Sequence, residues 1–281
     1  MQKALFIILF SQISCFCLFA QDIQQLKEYA DQQFNKGNYS IALKEYQRIL
    51  LFDDAHRYDG MFAKIASLYY RTEDYNNAVV YFDFARKAVS QDSLKYEYGL
   101  KKILCYYKQD NFLLGLSELY DFPDQLSPYF ENKKNLYFAI CHFGLGEHAE
   151  SLNYFAQIVD STGLEQIDSL VVLLNKYQKK YNPDKLEMMS IFLPGLGQTY
   201  GGDIGSGLNS VLLLSGIAAY SYHTMVTYRI LDGILVLTSW FYRYYTGGHR
   251  KAYKIGDQKI LVRRNSIYRQ ILTVVAQHPK R

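Results

Sequence analysis

The chain has 281 residues, of which 49% are apolar, and its 31 Lys and Arg against 27 Asp and Glu leave a formal charge of +4. That apolar share excludes an intrinsically disordered chain, and the length admits two domains. The 27 Tyr against a single Trp, with only five Pro, suit stacked helices.

Residues 1–20, MQKALFIILFSQISCFCLFA, open with one Lys and continue through two apolar patches, the layout of a signal peptide cleaved before Gln21. Leu18, three residues before the cut, is larger than the usual small residue, so an uncleaved signal anchor is the alternative. A lipoprotein is excluded, because Cys15 follows Gln12, Ile13 and Ser14 with no Leu at the required position. Removing the leader leaves Cys105 and Cys141.

Residues 21–162 contain an internal repeat of about four units. An aromatic residue or His recurs at Tyr39, Tyr75, Phe112 and His148, spaced by 36, 37 and 36. A small residue follows three places later at Ala42, Ala78, Gly115 and Ser151, and a bulky one four further on at Tyr46, Phe82, Leu119 and Phe155. This pattern resembles the tetratricopeptide repeat family, carried best by Ala30, Gly37, Tyr39, Ala42 and Tyr46 in the first unit and by Ala66, Tyr70, Tyr75, Ala78, Phe82 and Ala85 in the second. Units three and four depart from it at Gly115, Ser151 and Phe122, and the first two lack the repeat-ending Pro. The resemblance implies an all-α solenoid of helical hairpins with a concave inner face that takes a protein or peptide partner. Single hairpins cannot bury their apolar faces alone, so neighbours stack.

Residues 163–182 read as a capping helix and linker, with Leu164, Ile167, Leu170, Val171, Leu174 and Tyr177 at helical spacing. Cys105 and Cys141 hold the same place in successive units. Packed helices lie about 8–10 Å apart, beyond the reach of a disulfide, so both are expected as buried free thiols.

After Pro183 the composition changes. Three apolar segments follow at Leu186–Tyr200, Gly207–Met225 and Ile230–Tyr245, and residues 183–250 are read as a helical membrane hairpin domain. Gly207–Met225 has 19 residues without a formal charge, about 28 Å as a helix against a bilayer core of about 30 Å. Tyr220, Tyr222, Tyr228, Trp240, Phe241, Tyr242, Tyr244 and Tyr245 stand where interface anchors belong. Membrane insertion is read ahead of a soluble helical core on these features together. Residues 251–281 form a basic amphipathic tail, read equally as a helix on an anionic membrane surface or as one packed on its own domain. From Thr246 onward there are nine Lys or Arg and one acid, Asp257. Two crossings leave this tail on the exported side, against the positive-inside tendency. A third, through Leu186–Tyr200, brings it inside, although 15 residues reach only about 22 Å.

The glycine-rich stretch IFLPGLGQTYGGD does not fit a phosphate loop. Gln198, Thr199 and Tyr200 follow Gly197 where a dinucleotide fingerprint needs its third Gly, and Asp203 follows Gly202 where a P-loop needs Lys. The six His show no metal spacing, and no nucleophile triad is legible. No cofactor, metal, catalytic residue or nucleic-acid partner is expected. The stretch is instead similar to an uncharacterised family of bacterial envelope proteins whose membrane domain opens with Pro-Gly-x-Gly-Gln-x-Tyr. Pro194, Gly195, Gly197, Gln198 and Tyr200 match that motif, and Gly202, Asp203, Gly207 and Asn209 match the turn and helix start after it. The two resemblances imply a non-enzymatic envelope membrane protein with its repeats on the exported, periplasmic side, mediating protein–protein interaction. The alternative is an assembly or insertion factor for other envelope proteins, with the repeats as a docking arm.

Overall fold

A computed structural model describes residues 23–53, 58 and 60–280, and these are helical with no β-strand among them. The expected signal peptide lies outside the described residues. The chain forms two compact units, divided between Gln157 and Ile158.

In the first unit the helices come in pairs: α1 (Ile23–Asn35) with α2 (Tyr39–Phe52), α3 (Met61–Arg71) with α4 (Tyr75–Ala88), α5 (Asp92–Lys108) with α6 (Phe112–Tyr120), and α7 (Pro128–Leu145) with α8 (His148–Ile158). All four inter-helix turns have the same construction. Gly37, Glu73, Asp110 and Gly146 take left-handed φ of +79°, +62°, +54° and +81°. The next N–H, from Asn38, Asp74, Asn111 or Glu147, donates back to the carbonyl of Gln33, Tyr69, Tyr106 or His142 at 2.9 Å. This closes the preceding helix by the left-handed cap that satisfies its last carbonyls. Over each turn sits an aromatic pair, Phe34–Tyr39, Tyr70–Tyr75, Tyr107–Phe112 and Phe143–His148, with ring centroids 5.4–5.9 Å apart. Left-handed backbone disfavours a Cβ, so Glu73→Gly is expected to raise stability by about 1 kcal/mol, read from the urea midpoint.

The departures of the later units from the repeat pattern have steric causes. A Cβ on Gly115 would stand 3.0 Å from Cys141 Sγ, and one on Gly99 would stand 2.9 Å from the Phe122 ring. The bulky Phe122 is thus accommodated by a missing side chain on α5. Ser151, where Ala is usual, is fully buried and donates to the Ala139 carbonyl at 2.8 Å. Cys105 and Cys141 are buried and free, and burial pushes both thiols up to about 12. Neither should react with an alkylating reagent at pH 8 until the unit opens, since the thiolate is the nucleophile; mass spectrometry of the labelled peptides reads this directly.

The second unit comprises α9 (Ser161–Lys180), α10 (Pro183–Phe192), the short α11 (Leu196–Tyr200), α12 (Ile204–Thr227), α13 (Ile230–Val236), a π-helical turn at Leu237–Phe241, and α14 (Tyr242–Gln277). Residues 163–182, read from the sequence as the cap of the repeats, belong here instead. Ile167, Val171 and Leu174 of α9 are buried, and α9 packs along α14. The basic tail is likewise no separate element. It is the continuation of α14, with Ala252, Gly256, Ile267, Ile271 and Val274 turned inward. After α14, the Lys280 N–H reaches the Ile158 carbonyl at 2.9 Å and the Asp160 N–H reaches His278 O at 3.1 Å, tying the helix end to the start of the unit. A soluble fragment of the first unit should therefore stop near residue 160. One ending at 180 leaves the buried face of α9 without α14 and is expected to aggregate in size-exclusion chromatography.

Candidate functional site

Two places gather side chains beyond what packing needs. The first is a groove on the first unit, lined mainly from α1, α3 and α5, with Tyr46 of α2 and Phe82 of α4. Two adjoining cavities of about 450 and 400 Å³ share Ser67 and Lys101. Tyr46, a repeat-signature residue on α2, is only 1% exposed, yet its hydroxyl donates to Asp31 Oδ1 at 2.5 Å at the groove floor. Lys64 pairs with the same carboxylate and stands 5.2 Å from the Tyr46 ring centre. Burial disfavours the Asp31 charge, but the bonds from Lys64 and Tyr46 outweigh it and hold the carboxyl below its usual range. Burial and the bond to Asp31 push the Tyr46 phenol up.

Two more cations complete this surface. The Arg71 guanidinium lies 5.4 Å from the Phe34 ring, and Lys101 Nζ lies 5.7 Å from the Tyr98 ring. Neither has a carboxylate partner among the described residues. A groove that pairs aromatic faces with unneutralised cations is suited to an acidic segment of chain.

The signature residues themselves are structural. Ala30, Ala42, Ala66, Ala78, Phe82 and Ala85 are at most 3% exposed and fill the seams between helices. Tyr39 and Tyr75 cover their turns, and Gly37 makes one. Sequence reasoning missed Asp31, Lys64, Arg71, Tyr98 and Lys101. Their signal was available only as polar residues on the first helix of each pair.

The second place is the Pro-Gly-x-Gly-Gln-x-Tyr stretch. Pro194 forces its predecessor Leu193 into extended backbone, which ends α10. Gly195 then turns the chain at φ +86°, where a Cβ would lie 2.3 Å from the Gly207 carbonyl oxygen. Gly197 passes α10 so closely that a Cβ would lie 1.8 Å from Leu186 O, and its N–H donates to the buried Ser190 hydroxyl at 3.0 Å. Gln198 is fully buried and its Nε2 donates to the Gly248 carbonyl of α14 at 2.8 Å. Gly202 at φ +91° and the Asp203 N–H, bonded to Gln198 O at 2.9 Å, repeat the turn of the first unit. Tyr200 stays 41% exposed beneath Lys185 Nζ, 5.0 Å from its ring centre.

Asp203 caps α12, its Oδ1 accepting the Ser206 N–H at 3.0 Å. The bonds from Ser206, with the Lys251 ammonium 3.8 Å away, hold its carboxyl below the ordinary 3.8. Because the folded value is the lower one, this contribution is present above the ordinary value and lost as pH falls through the folded value. Asp203→Asn keeps a capping oxygen without the charge, so it should flatten the acid limb of a thermal-stability profile below roughly pH 4.

Beyond this crossing, α12 is the one helix among the described residues long and apolar enough to cross a membrane. It has 24 residues and a mean hydropathy of 1.3 over its best window, of which 17% is buried. The apolar segment expected at Ile230–Tyr245 is divided among α13, the π-helical turn and the first turn of α14. Ser221 Oγ donates to Gly233 O at 2.7 Å, and a Cβ on Gly233 would lie 2.7 Å from Ser221 O, so small residues bring α12 and α13 into contact. Among the described residues no three His, Cys, Asp or Glu converge as metal ligands. No family model, curated protein or solved structure matches the chain.

Proposed function

We propose that the chain is an envelope membrane protein whose tetratricopeptide-like array, exported to the periplasmic side, binds an acidic peptide segment of a protein partner. The observation that carries this reading is the groove in which Lys101 and Arg71 lie over aromatic rings without carboxylate partners among the described residues. An acidic, aromatic-bearing segment would exchange its solvation for those cations and the faces of Phe34 and Tyr98. The membrane part of the proposal is supported by the exposure of α12 and the helical turns after it. Leu208, Leu212, Val226, Leu231, Leu235 and Trp240 are each 53–72% exposed, and large apolar side chains left to water in such number mark an interaction or membrane surface. At 24 residues, α12 reaches about 36 Å, enough for a bilayer core of about 30 Å.

The test is fluorescence anisotropy of the full chain in detergent with labelled peptides of matched length, either acidic or charge-neutral and carrying the same aromatics. Acidic peptides should bind at least about tenfold more tightly at low salt, and the difference should shrink as salt screens it. The Lys101→Glu, Arg71→Glu double variant should abolish the preference. Equal binding of both peptides by the native chain would refute the groove reading, and carbonate extraction of the full chain from membranes would refute the membrane reading.

A further inference from the structure

The two apolar legs of the second unit are antiparallel neighbours from their turn to their open end. Near the turn at Tyr228 and Arg229, Ser221 Oγ donates to Gly233 O at 2.7 Å. Further along, Gly216, Ile217 and Tyr220 of α12 share a groove with Val236 and Trp240. At the open end a Cβ on Gly248 would stand 3.6 Å from Ser210 Oγ, and Lys251 contacts the Ser206 hydroxyl. The return leg, residues 230–248, reaches about 28 Å as a helix, against a bilayer core of about 30 Å. Its entry and exit are bonded to each other. The Tyr245 hydroxyl donates to Ile191 O at 2.7 Å, His249 Nδ1 lies 2.7 Å from Glu187 Oε1, and Gln198 Nε2 donates to Gly248 O at 2.8 Å. The preceding α10 is too short to cross by itself: its 10 residues reach about 15 Å. It carries Asp184, Lys185 and Glu187, and it ends at Phe192, 80% exposed, which suits a helix whose tip rests at the bilayer surface.

Beyond Gly248, α14 runs back along α10 and α9. A Cβ on Gly256 would stand 2.9 Å from Tyr181 O, and past the helix end Lys280 and His278 bond to Ile158 and Asp160. This stretch carries seven Lys or Arg between Arg250 and Arg269, too many charges for a bilayer core. Ile158 closes α8, so the chain that leaves the repeats and the chain that ends the molecule meet at one point. We infer that α12 and the return leg cross the bilayer as a two-pass hairpin locked at its base, so that the carboxy-terminal tail lies on the same side as the repeats and only the turn at Tyr228 and Arg229 reaches the other. This rests on the membrane reading proposed above and is independent of the groove on the first unit. The positive-inside tendency acts on the nine Lys or Arg from Thr246 onward whichever side holds the repeats. It cannot separate the tail from them without pulling α14 away from α9 and α10, where Leu186, Ile267 and Ile271 are fully buried.

The test places two exposed Cys in one full chain, with Cys15 and Cys17 replaced by Ser and the buried Cys105 and Cys141 left in place. Each variant is reconstituted into sealed liposomes and treated from outside with a membrane-impermeant maleimide, and the intact mass counts the labels on each molecule. Counting by molecule makes the result independent of which way the chain inserts. Leu51→Cys with Ala276→Cys, both at exposed positions, should take two labels or none. Ala276→Cys with Tyr228→Cys, the latter position 72% exposed, should take one label on every molecule. In detergent both variants should take two, which shows that every site is reactive. Leu113→Cys with Gln277→Cys repeats the first arm at another exposed pair should the first fold poorly. Single labels on the repeat–tail variants would mean an odd number of crossings and overturn the inference. Two labels or none on the tail–turn variant would mean that the turn stays on the tail's side, and would overturn it as well. Release of the chain from the liposomes by carbonate would refute the membrane reading beneath it, whereas a retained chain with single repeat–tail labels refutes the hairpin alone.

Discussion

Glu118→Ala is expected to destabilise the first unit by about 3–5 kcal/mol, the cost of removing one member of a buried ion pair and leaving its partners charged. Glu118 is 8% exposed and lies between two cations: Arg86 of α4 bonds one carboxylate oxygen, and Lys102 Nζ stands 2.7 Å from the other. Lys102, itself 9% exposed, also meets Asp83 at 2.9 Å. Burial works against the Lys102 charge, but the bonds from Glu118 and Asp83 outweigh it and hold the ammonium above the ordinary 10.5. A raised folded value means this stabilisation is fully present below the ordinary lysine pKa and is lost as pH rises through the folded one. The loss can be read at Cys105, buried three residues from Lys102 on the same helix. Its alkylation in the native state requires local opening, so Glu118→Ala should accelerate labelling about a hundred- to several-thousand-fold if opening equilibrates before reaction. Replacing Arg86, Lys102 and Glu118 together with Met, Met and Leu should restore most of the protection, because the one network charge then left without its partner, Asp83, has a side chain 36% exposed to water. Protection unchanged in the single variant would show that the network is not holding α4, α5 and α6 together.

Gly197→Ala should be the most damaging one-carbon change in the second unit. Its Cβ would be placed 1.8 Å from the Leu186 carbonyl oxygen and 2.7 Å from Ser190 Oγ. The nearest obstacle is helix backbone, which cannot rotate aside, so α10 and α11 must separate. That removes the Gly197–Ser190 bond and displaces Gln198 from Gly248. Overpacking of this kind costs about 3 kcal/mol or more when the backbone has to move. Gly216→Ala in α12 is the matched control, since nothing lies within 4 Å of its Cβ position. It should be neutral or stabilising by up to about 1 kcal/mol through helix propensity. Thermal unfolding in detergent, followed by helix content, separates the two. Equal midpoints for the Gly197 and Gly216 variants would mean that α10 and α11 do not cross closely.

The repeat in the first unit is legible because its causes are local. Each turn needs an aromatic residue over it and a left-handed residue inside it, so Tyr39, Tyr75, Phe112 and His148 recur with the same spacing as Gly37, Glu73, Asp110 and Gly146. The break at Pro194 is legible for the same reason, since proline constrains the residue before it wherever it stands. The groove was not legible to the same degree. Asp31, Lys64 and Lys101 lie on three separate helices and acquire a common meaning only when those helices are side by side. Gln198 was read as part of a turn, while its partner Gly248 lies 50 residues further on.

The sequence by itself determined that the chain is helical, where the first-unit hairpins turn, where α10 must stop, and that an uncharged apolar helix follows the glycines, because each of these depends on neighbours within one or two turns. Only the tertiary structure decided that residues 163–182 belong with the second unit and that the basic tail continues one long helix whose apolar residues turn inward. Helical periodicity shows that an apolar face must be buried, and it carries no information about which other helix will bury it. The same limit explains Gly115 and Gly197, whose missing side chains are required by a thiol 26 residues away and a carbonyl on the preceding helix.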